Sequence, residues 1–264
     1  TISRPSFYQQ QRKEKERMKI PYAVSFDMDE TLIDKKPTGV LAFIEYSSRV
    51  GIPVEEKHFS TIERFRQKYF SDGAAVSEAI KSMGAKAFWL HYNSLVLSEV
   101  LGYKPEDELV ETLTATFAKE YRPEVFMFDD VRSTLKSLKE KGIPMGIITT
   151  RAAGVDLGLN LGKVEQELEA LGVADYFSFI IGVSPSGETK PHPSVFREAA
   201  DSASVDISEL LHVGNDFYAD YQGALASGAQ AALLDRHTLF SDVANRIENM
   251  EDILSFWVDE PVQA

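Results

Sequence analysis

From residue 124 onward, short apolar runs alternate with amphipathic helical patterns, and this alternation limits more than anything else what the chain can fold into. Pro144 to Thr149, Phe177 to Val183, Leu210 to Val213 and Gln230 to Leu234 read as strands. Between them the spacing predicts helices over Asp130 to Lys141, with Val131, Leu135 and Leu138 on one face, and over Lys163 to Leu171, Pro193 to Ser202 and Tyr218 to Ser227. Gly142, Gly172 and Gly228 follow three of these as stop signals. Successive strand and helix units pack as a parallel sheet, so the expected class is α/β. With 264 residues and 44% apolar content, the chain can bury the core of one large domain or of a domain carrying an insertion.

The segment 37–122 breaks the alternation. It offers no strand and four helical patterns instead: Val40 to Val50, Glu55 to Phe70, Ala74 to Leu101 with a break near Gly84, and Pro105 to Tyr121. A helical block inserted after the first strand reads as a lid over the strand carboxyl ends, where open α/β sheets place their ligands. The division expected is therefore a core of 20–36 and 123–264, a helical cap of 37–122, and a polar, Gln-rich, basic extension at 1–19 with no signal-peptide core. A net charge of -13 opposes encounter with nucleic acid or an anionic membrane. There is no cysteine, hence no disulfide, thiolate metal site or cysteine nucleophile. The apolar runs are far shorter than the roughly 20 residues of a membrane span. The expected setting is soluble and cytoplasmic.

Charge appears where a buried strand should end. Phe26-Asp27-Met28-Asp29-Glu30-Thr31-Leu32 follows the apolar run Tyr22-Ala23-Val24-Ser25 and sets two carboxylates at its edge. At about 4 Å such a pair repels by roughly 1 kcal/mol in water and about 4 kcal/mol at an effective dielectric of 20. A divalent cation would reverse the sign of that cost. Three more polar signals follow strands: Thr149-Thr150-Arg151; Lys190 in Lys190-Pro191-His192-Pro193; and Gly214-Asn215-Asp216, with Asp220 four residues later. Right-handed crossovers bring all these strand ends to one edge.

In the order of these motifs (Asp-x-Asp-x-Thr, an apolar run ending in Thr, a lysine, then an acidic motif after glycine) the chain resembles the haloacid dehalogenase superfamily. The resemblance runs from residue 22 to the end, and 37–122 resembles that superfamily's first-position helical cap. It implies a Rossmann-like parallel core and a Mg²⁺-dependent phosphatase acting on a small-molecule phosphate monoester through an aspartyl phosphate. Asp27 would be the nucleophile. Asp29 would protonate the leaving alcohol and then activate water, its backbone carbonyl reaching the metal. Thr149, with Thr150 beside it, and Lys190 would bind the phosphoryl oxygens, and Thr31 fits the motif as a loop-stabilising residue. The implied metal set is Asp27, Asp29 and Asp216, with Asp220 as ligand or as support for Lys190. The motif departs from the commoner Gly-Asp-Ser spelling, because Asn215 follows Gly214 and the carboxylate comes next. In the other register Asn215 would supply an uncharged oxygen, and both registers stay open.

In the cap, Arg64 and Lys68 are four apart, share a helix face and are the candidates to meet an anionic substrate. Phe88, Trp89 and Tyr92 at helical spacing read as packing, and Gly154 to Gly162 as a surface loop. Four other functions compete. A phosphomutase would use the same residues. Dehalogenase and phosphonatase branches need no acid two residues after the nucleophile, so Asp29 argues against them. A non-catalytic binding module would have no use for Asp27, Asp29, Thr149, Lys190 and Asp216 together.

Overall fold

The computed structural model of the chain describes residues 20–153 and 164–257. The extension at 1–19 and the loop at Gly154 to Gly162 lie outside the described residues, as does Lys163. Along the chain the strands are β1 (Ala23–Phe26), β2 (Ile33–Lys36), β3 (Glu124–Met127), β4 (Met145–Ile148), β5 (Phe179–Ile181), β6 (Leu210–Gly214), β7 (Gln230–Leu234) and β8 (Arg246–Ile247). Two compact units divide the chain, one α/β and one helical, with the divisions after Leu32 and after Met127.

In the α/β unit one sheet runs β5-β4-β1-β6-β7-β8, every pairing parallel. The chain enters at β1, steps outward through β4 and β5, then returns to the other side of β1 with β6. That reversal creates a switch point beside β1, where the loops on either side diverge and leave a crevice. Phe26 pairs with Ile147 on one side and Val213 on the other, so the three strands reach the same edge in step.

These strands form because their residues have no other place to go. Every position of β1, β4 and β6 is buried, which suits a parallel sheet covered on both faces. The helix Asp129–Glu140 buries Val131, Leu135 and Leu138, the face that its spacing predicts. Pro193–Ser202 starts on its proline and buries Val195, Phe196, Ala199 and Ala200 against the sheet core of Ala23, Ile148, Leu210 and Leu233. Burying a side chain such as Phe196 contributes about 1.5–3 kcal/mol.

The helical unit contains Gly39–Arg49, Phe59–Phe70, Gly73–Met83, Ala85–Leu95 and Asp107–Glu120. Thr38 caps the first, its hydroxyl accepting from the Leu41 N–H at 3.2 Å. Gly84, at φ 81°, makes the break expected inside the third pattern. Phe88, Trp89 and Tyr92 pack edge-on or tilted against Tyr69 and Phe70, so the aromatic spacing builds core. The unit also holds a ribbon that the sequence did not announce: β2 pairs antiparallel with β3, from Ile33 opposite Met127 to Lys36 opposite Glu124. This unit accordingly begins at Ile33 and ends at Met127, a few residues wider than the 37–122 expected. The last expected helix also differs, opening with a π-helical turn at Phe217–Gln222 before Gly223–Ser227. Among the described residues no helix is long and apolar enough to cross a membrane.

Candidate active site

The site grows from the carboxyl edge of β1. Asp27 donates its N–H to the Val213 carbonyl at 2.9 Å, one step beyond the ladder, which fixes its backbone between β1 and β6. Its Oδ1 accepts from Lys190 Nζ at 2.6 Å, and its Oδ2 lies 3.4 Å from the Thr31 hydroxyl. Lys190 is 4% exposed and also donates to Asp220 Oδ1 at 2.6 Å. Asp220 is held from two further directions, by the Asp216 N–H on Oδ2 at 2.9 Å and by His212 Nε2 at 3.2 Å from Oδ1. An ionised Asp220 only accepts, so Nε2 carries the imidazole proton and Nδ1 accepts from the Ser25 hydroxyl at 2.9 Å. Ser25, His212, Asp220, Lys190 and Asp27 thus form one buried chain of hydrogen bonds.

One ammonium serves two carboxylates, and the charges do not balance. Burial pushes Asp27 up to about 7; Lys190 offsets only part of this, and the negative charges of Asp220 and Asp29 add to it. For Lys190, burial opposes the charge, but the neighbouring Asp220 and Asp27 outweigh it and hold the ammonium protonated. For Asp220, burial again opposes ionisation, and Lys190 with His212 overcomes it, so this carboxyl stays well below its usual range. Burial lowers His212, which remains neutral. The arrangement is a permanently charged Lys190–Asp220 pair with a second, strained carboxylate at Asp27.

Close approach at Gly214 makes this packing possible. A Cβ there would lie 2.2 Å from Asp220 Oδ2 and 2.6 Å from its Cβ. Asp220 cannot swing aside without breaking its bonds to Lys190 and His212. Gly214→Ala is therefore expected to lower unfolding free energy by about 1–3 kcal/mol, as overpacking does, when read by urea titration. An unchanged midpoint would mean that Asp220 has room to move.

Around this chain stand the remaining residues picked from the sequence. Asp29 is partly buried, with both carboxylate oxygens 3.4–3.5 Å from Arg151 Nη1. Arg151 is itself clamped by Glu167 at 2.9 and 2.7 Å. Thr149 is buried at the end of β4, donating its N–H to the Ile181 carbonyl, with Oγ1 3.4 Å from the Arg151 N–H; Thr150 opens the short turn that follows. Arg64 and Lys68 belong to the helical unit, where both are exposed on Phe59–Phe70.

The two registers left open after Gly214 have different surroundings. Asp216 Oδ1 accepts from the Tyr218 and Ala219 N–H groups, each at 2.8 Å, which is the work of a helix cap. Asn215 instead donates its N–H to the Thr31 hydroxyl at 3.1 Å, places Oδ1 3.2 Å from that hydroxyl, and donates from Nδ2 to Glu30 Oε2 at 3.1 Å. Thr31 therefore neighbours both Asp27 Oδ2 and Asn215 Oδ1. Among the described residues no group of three or more His, Asp or Glu side chains converges as a metal cage. One carboxylate and one amide oxygen, beside a shared hydroxyl and where surplus negative charge already penalises Asp27, suit a hard cation that keeps several waters.

Ser25, His212, Glu30, Arg151 and Glu167 had no assigned role from the sequence. For Ser25 and His212 there was a signal, since each is a polar residue inside an apolar strand run and the β1–β6 register sets them opposite each other.

Comparison with known proteins agrees with this layout. The family model for haloacid dehalogenase-like hydrolases matches residues 22–228. Over 218 residues the chain is 29% identical to a phosphoglycolate phosphatase of Escherichia coli O157:H7, covering 78% of this chain and 77% of that one. Over 219 residues it is 27% identical to a ribulose-1,5-bisphosphate 5-phosphatase of Halopiger xanaduensis, covering 81% and 84%. Among solved structures, a predicted phosphoglycolate phosphatase from Haemophilus somnus superposes with a TM-score of 0.53 at 18% identity, covering 90% of this chain and 98% of that one, a likeness of fold.

Proposed function

The chain belongs to the haloacid dehalogenase-like hydrolases, and from that premise we propose that it is a Mg²⁺-dependent phosphatase that hydrolyses a small-molecule phosphate monoester through an aspartyl phosphate on Asp27. The observation that carries this reading is the buried carboxylate of Asp27 at the switch point, one oxygen held by Lys190 at 2.6 Å. The phosphatase names of the relatives support the ester class.

In the first step an Asp27 oxygen forms a bond to phosphorus while the bond from phosphorus to the leaving oxygen breaks, and Asp29 gives its proton to that oxygen. In the second step Asp29, now ionised, takes a proton from water as the water oxygen attacks phosphorus. The bond to Asp27 breaks, phosphate departs and both carboxyl groups return to their starting states. Lys190 and the Thr149 hydroxyl offset charge on the phosphoryl oxygens. Glu167 holds Arg151, and Arg151 in turn orients Asp29. The residues that would hold the cation are Asp27, the Asp29 carbonyl and Asn215, while Asp216 stays a helix cap and Asp220 the partner of Lys190. When bound, Mg²⁺ supplies positive charge to the phosphoryl oxygens and relieves the surplus negative charge around Asp27.

The test is phosphate release from p-nitrophenyl phosphate, phosphoglycolate, sugar phosphates and nucleoside monophosphates with Mg²⁺. Turnover is expected to stop with EDTA. Asp29→Asn is expected to slow it by about 10²–10⁴-fold, the usual loss on removing a positioned acid–base group. Metal-independent halide release, or no turnover across the whole panel, would overturn the phosphatase reading.

A further inference from the structure

We propose that Glu30 is a positioning residue for the cation, which acts by fixing the side-chain amide of Asn215 so that oxygen, and not nitrogen, faces Asp27. The inference rests on the reading that a divalent cation binds beside Asp27, and it concerns a residue to which that reading gives no task.

The argument is one of donors and acceptors. An asparagine amide can sit in either of two orientations, exchanging a C=O for an NH₂. On one side Asn215 meets the Thr31 hydroxyl at 3.2 Å, and a hydroxyl tolerates both orientations because it can donate or accept. On the other side it meets Glu30 Oε2 at 3.1 Å, and a carboxylate tolerates only one. Nδ2 must donate to Glu30, since the flipped amide would put its oxygen against a carboxylate oxygen. Glu30 therefore decides, and the oxygen it turns toward Thr31 shares that hydroxyl with Asp27 Oδ2, 3.4 Å away. Without Glu30, the NH₂ group is free to turn toward the cation position, where its hydrogens repel positive charge.

A second observation sets Glu30 apart. Its backbone is left-handed, at φ 61°, a conformation that glycine adopts without steric cost and that a long side chain adopts against one. A glycine there would favour folding but could not hold the amide. The pair also explains why the carboxylate stands at 30 and the amide at 215. Two carboxylates at these positions would face each other at about the distance of the present hydrogen bond, and they would repel.

The experiment measures Mn²⁺ affinity by the loss of the free-ion EPR signal, with Mg²⁺ as competitor, so it needs no turnover. Glu30→Gly is expected to weaken Mn²⁺ binding by about 10–100-fold, as loss of a ligand-orienting partner does, while thermal unfolding moves to the same or a higher temperature. Glu30→Gln can turn either its oxygen or its NH₂ toward the Asn215 amide, so it no longer dictates the orientation and is expected to bind more weakly than wild type but no more weakly than Glu30→Gly. If Glu30→Gly or Glu30→Gln binds Mn²⁺ as tightly as wild type, the orienting role is overturned and the cation reading stands. If wild type itself binds neither ion, the cation reading falls and this inference falls with it.

Discussion

Asp27→Asn is expected to abolish phosphate release, by at least about a thousandfold, while leaving the protein folded. The amide has nearly the shape of the carboxylate but cannot attack phosphorus to give an acyl phosphate. Its effect on stability should be the reverse of its effect on activity. In the metal-free protein Asp27 is pushed up to about 7 because burial penalises its charge and Lys190 is shared with Asp220. A carboxyl raised on folding binds more protons in the folded state than in the unfolded one. Its stabilising contribution is present below the ordinary carboxylate value of 3.8 and is lost as pH rises through about 7. Asp27→Asn should remove that decline. Urea titrations of wild type and variant in EDTA between pH 5 and 8 would read this, and turnover with Mg²⁺ would read the catalytic loss. Retained phosphate release in the variant would rule out Asp27 as nucleophile.

Lys190→Met is the second large effect, and here stability and activity should fall together. The ammonium pairs with both Asp27 and Asp220, two buried carboxylates that it touches at 2.6 Å each. Breaking a buried ion pair by removing one partner costs about 3–5 kcal/mol, because the other charge stays buried without compensation. A side chain of similar length preserves most of the packing, so the loss is electrostatic. Combining it with Asp27→Asn takes away one of the stranded carboxylates, and the double variant is expected to recover part of the lost stability. Chemical denaturation of the single and double variants closes that cycle. Strict additivity would show that Lys190 and Asp27 are not coupled, and the site geometry would then be wrong.

Much of this was legible in the sequence because it depended on periodicity. The strands β1, β4, β6 and β7 and the helices Asp129–Glu140 and Pro193–Ser202 bury the residues whose spacing announced them. The ribbon of β2 and β3 was not legible, since a strand reading Ile-Asp-Lys-Lys has three charged positions in four and its pairing partner lies about ninety residues away. β8, two residues long, is below the length at which alternation can register.

In the site, the sequence by itself determined the chemical inventory and the edge where it gathers: Asp27, Asp29, Thr149, Lys190 and the Gly214 motif all follow strands, and parallel strands end on one side. Which oxygen meets which partner was decided only by the tertiary structure. Asn215 and Asp216 are adjacent in the chain and equally compatible with a four- or five-residue step to Asp220, so spacing could not separate them. The turn at Phe217–Gln222 separates them, because its first N–H groups claim the Asp216 carboxylate as a cap and leave the Asn215 amide beside Thr31. Likewise His212 and Ser25 gain a function only through the β1–β6 register, and Glu30 only through a turn that brings residues 185 positions apart within 3.1 Å. Local pattern fixes what a segment must bury, whereas hydrogen-bond partners distant in sequence exist only once the sheet has closed around them.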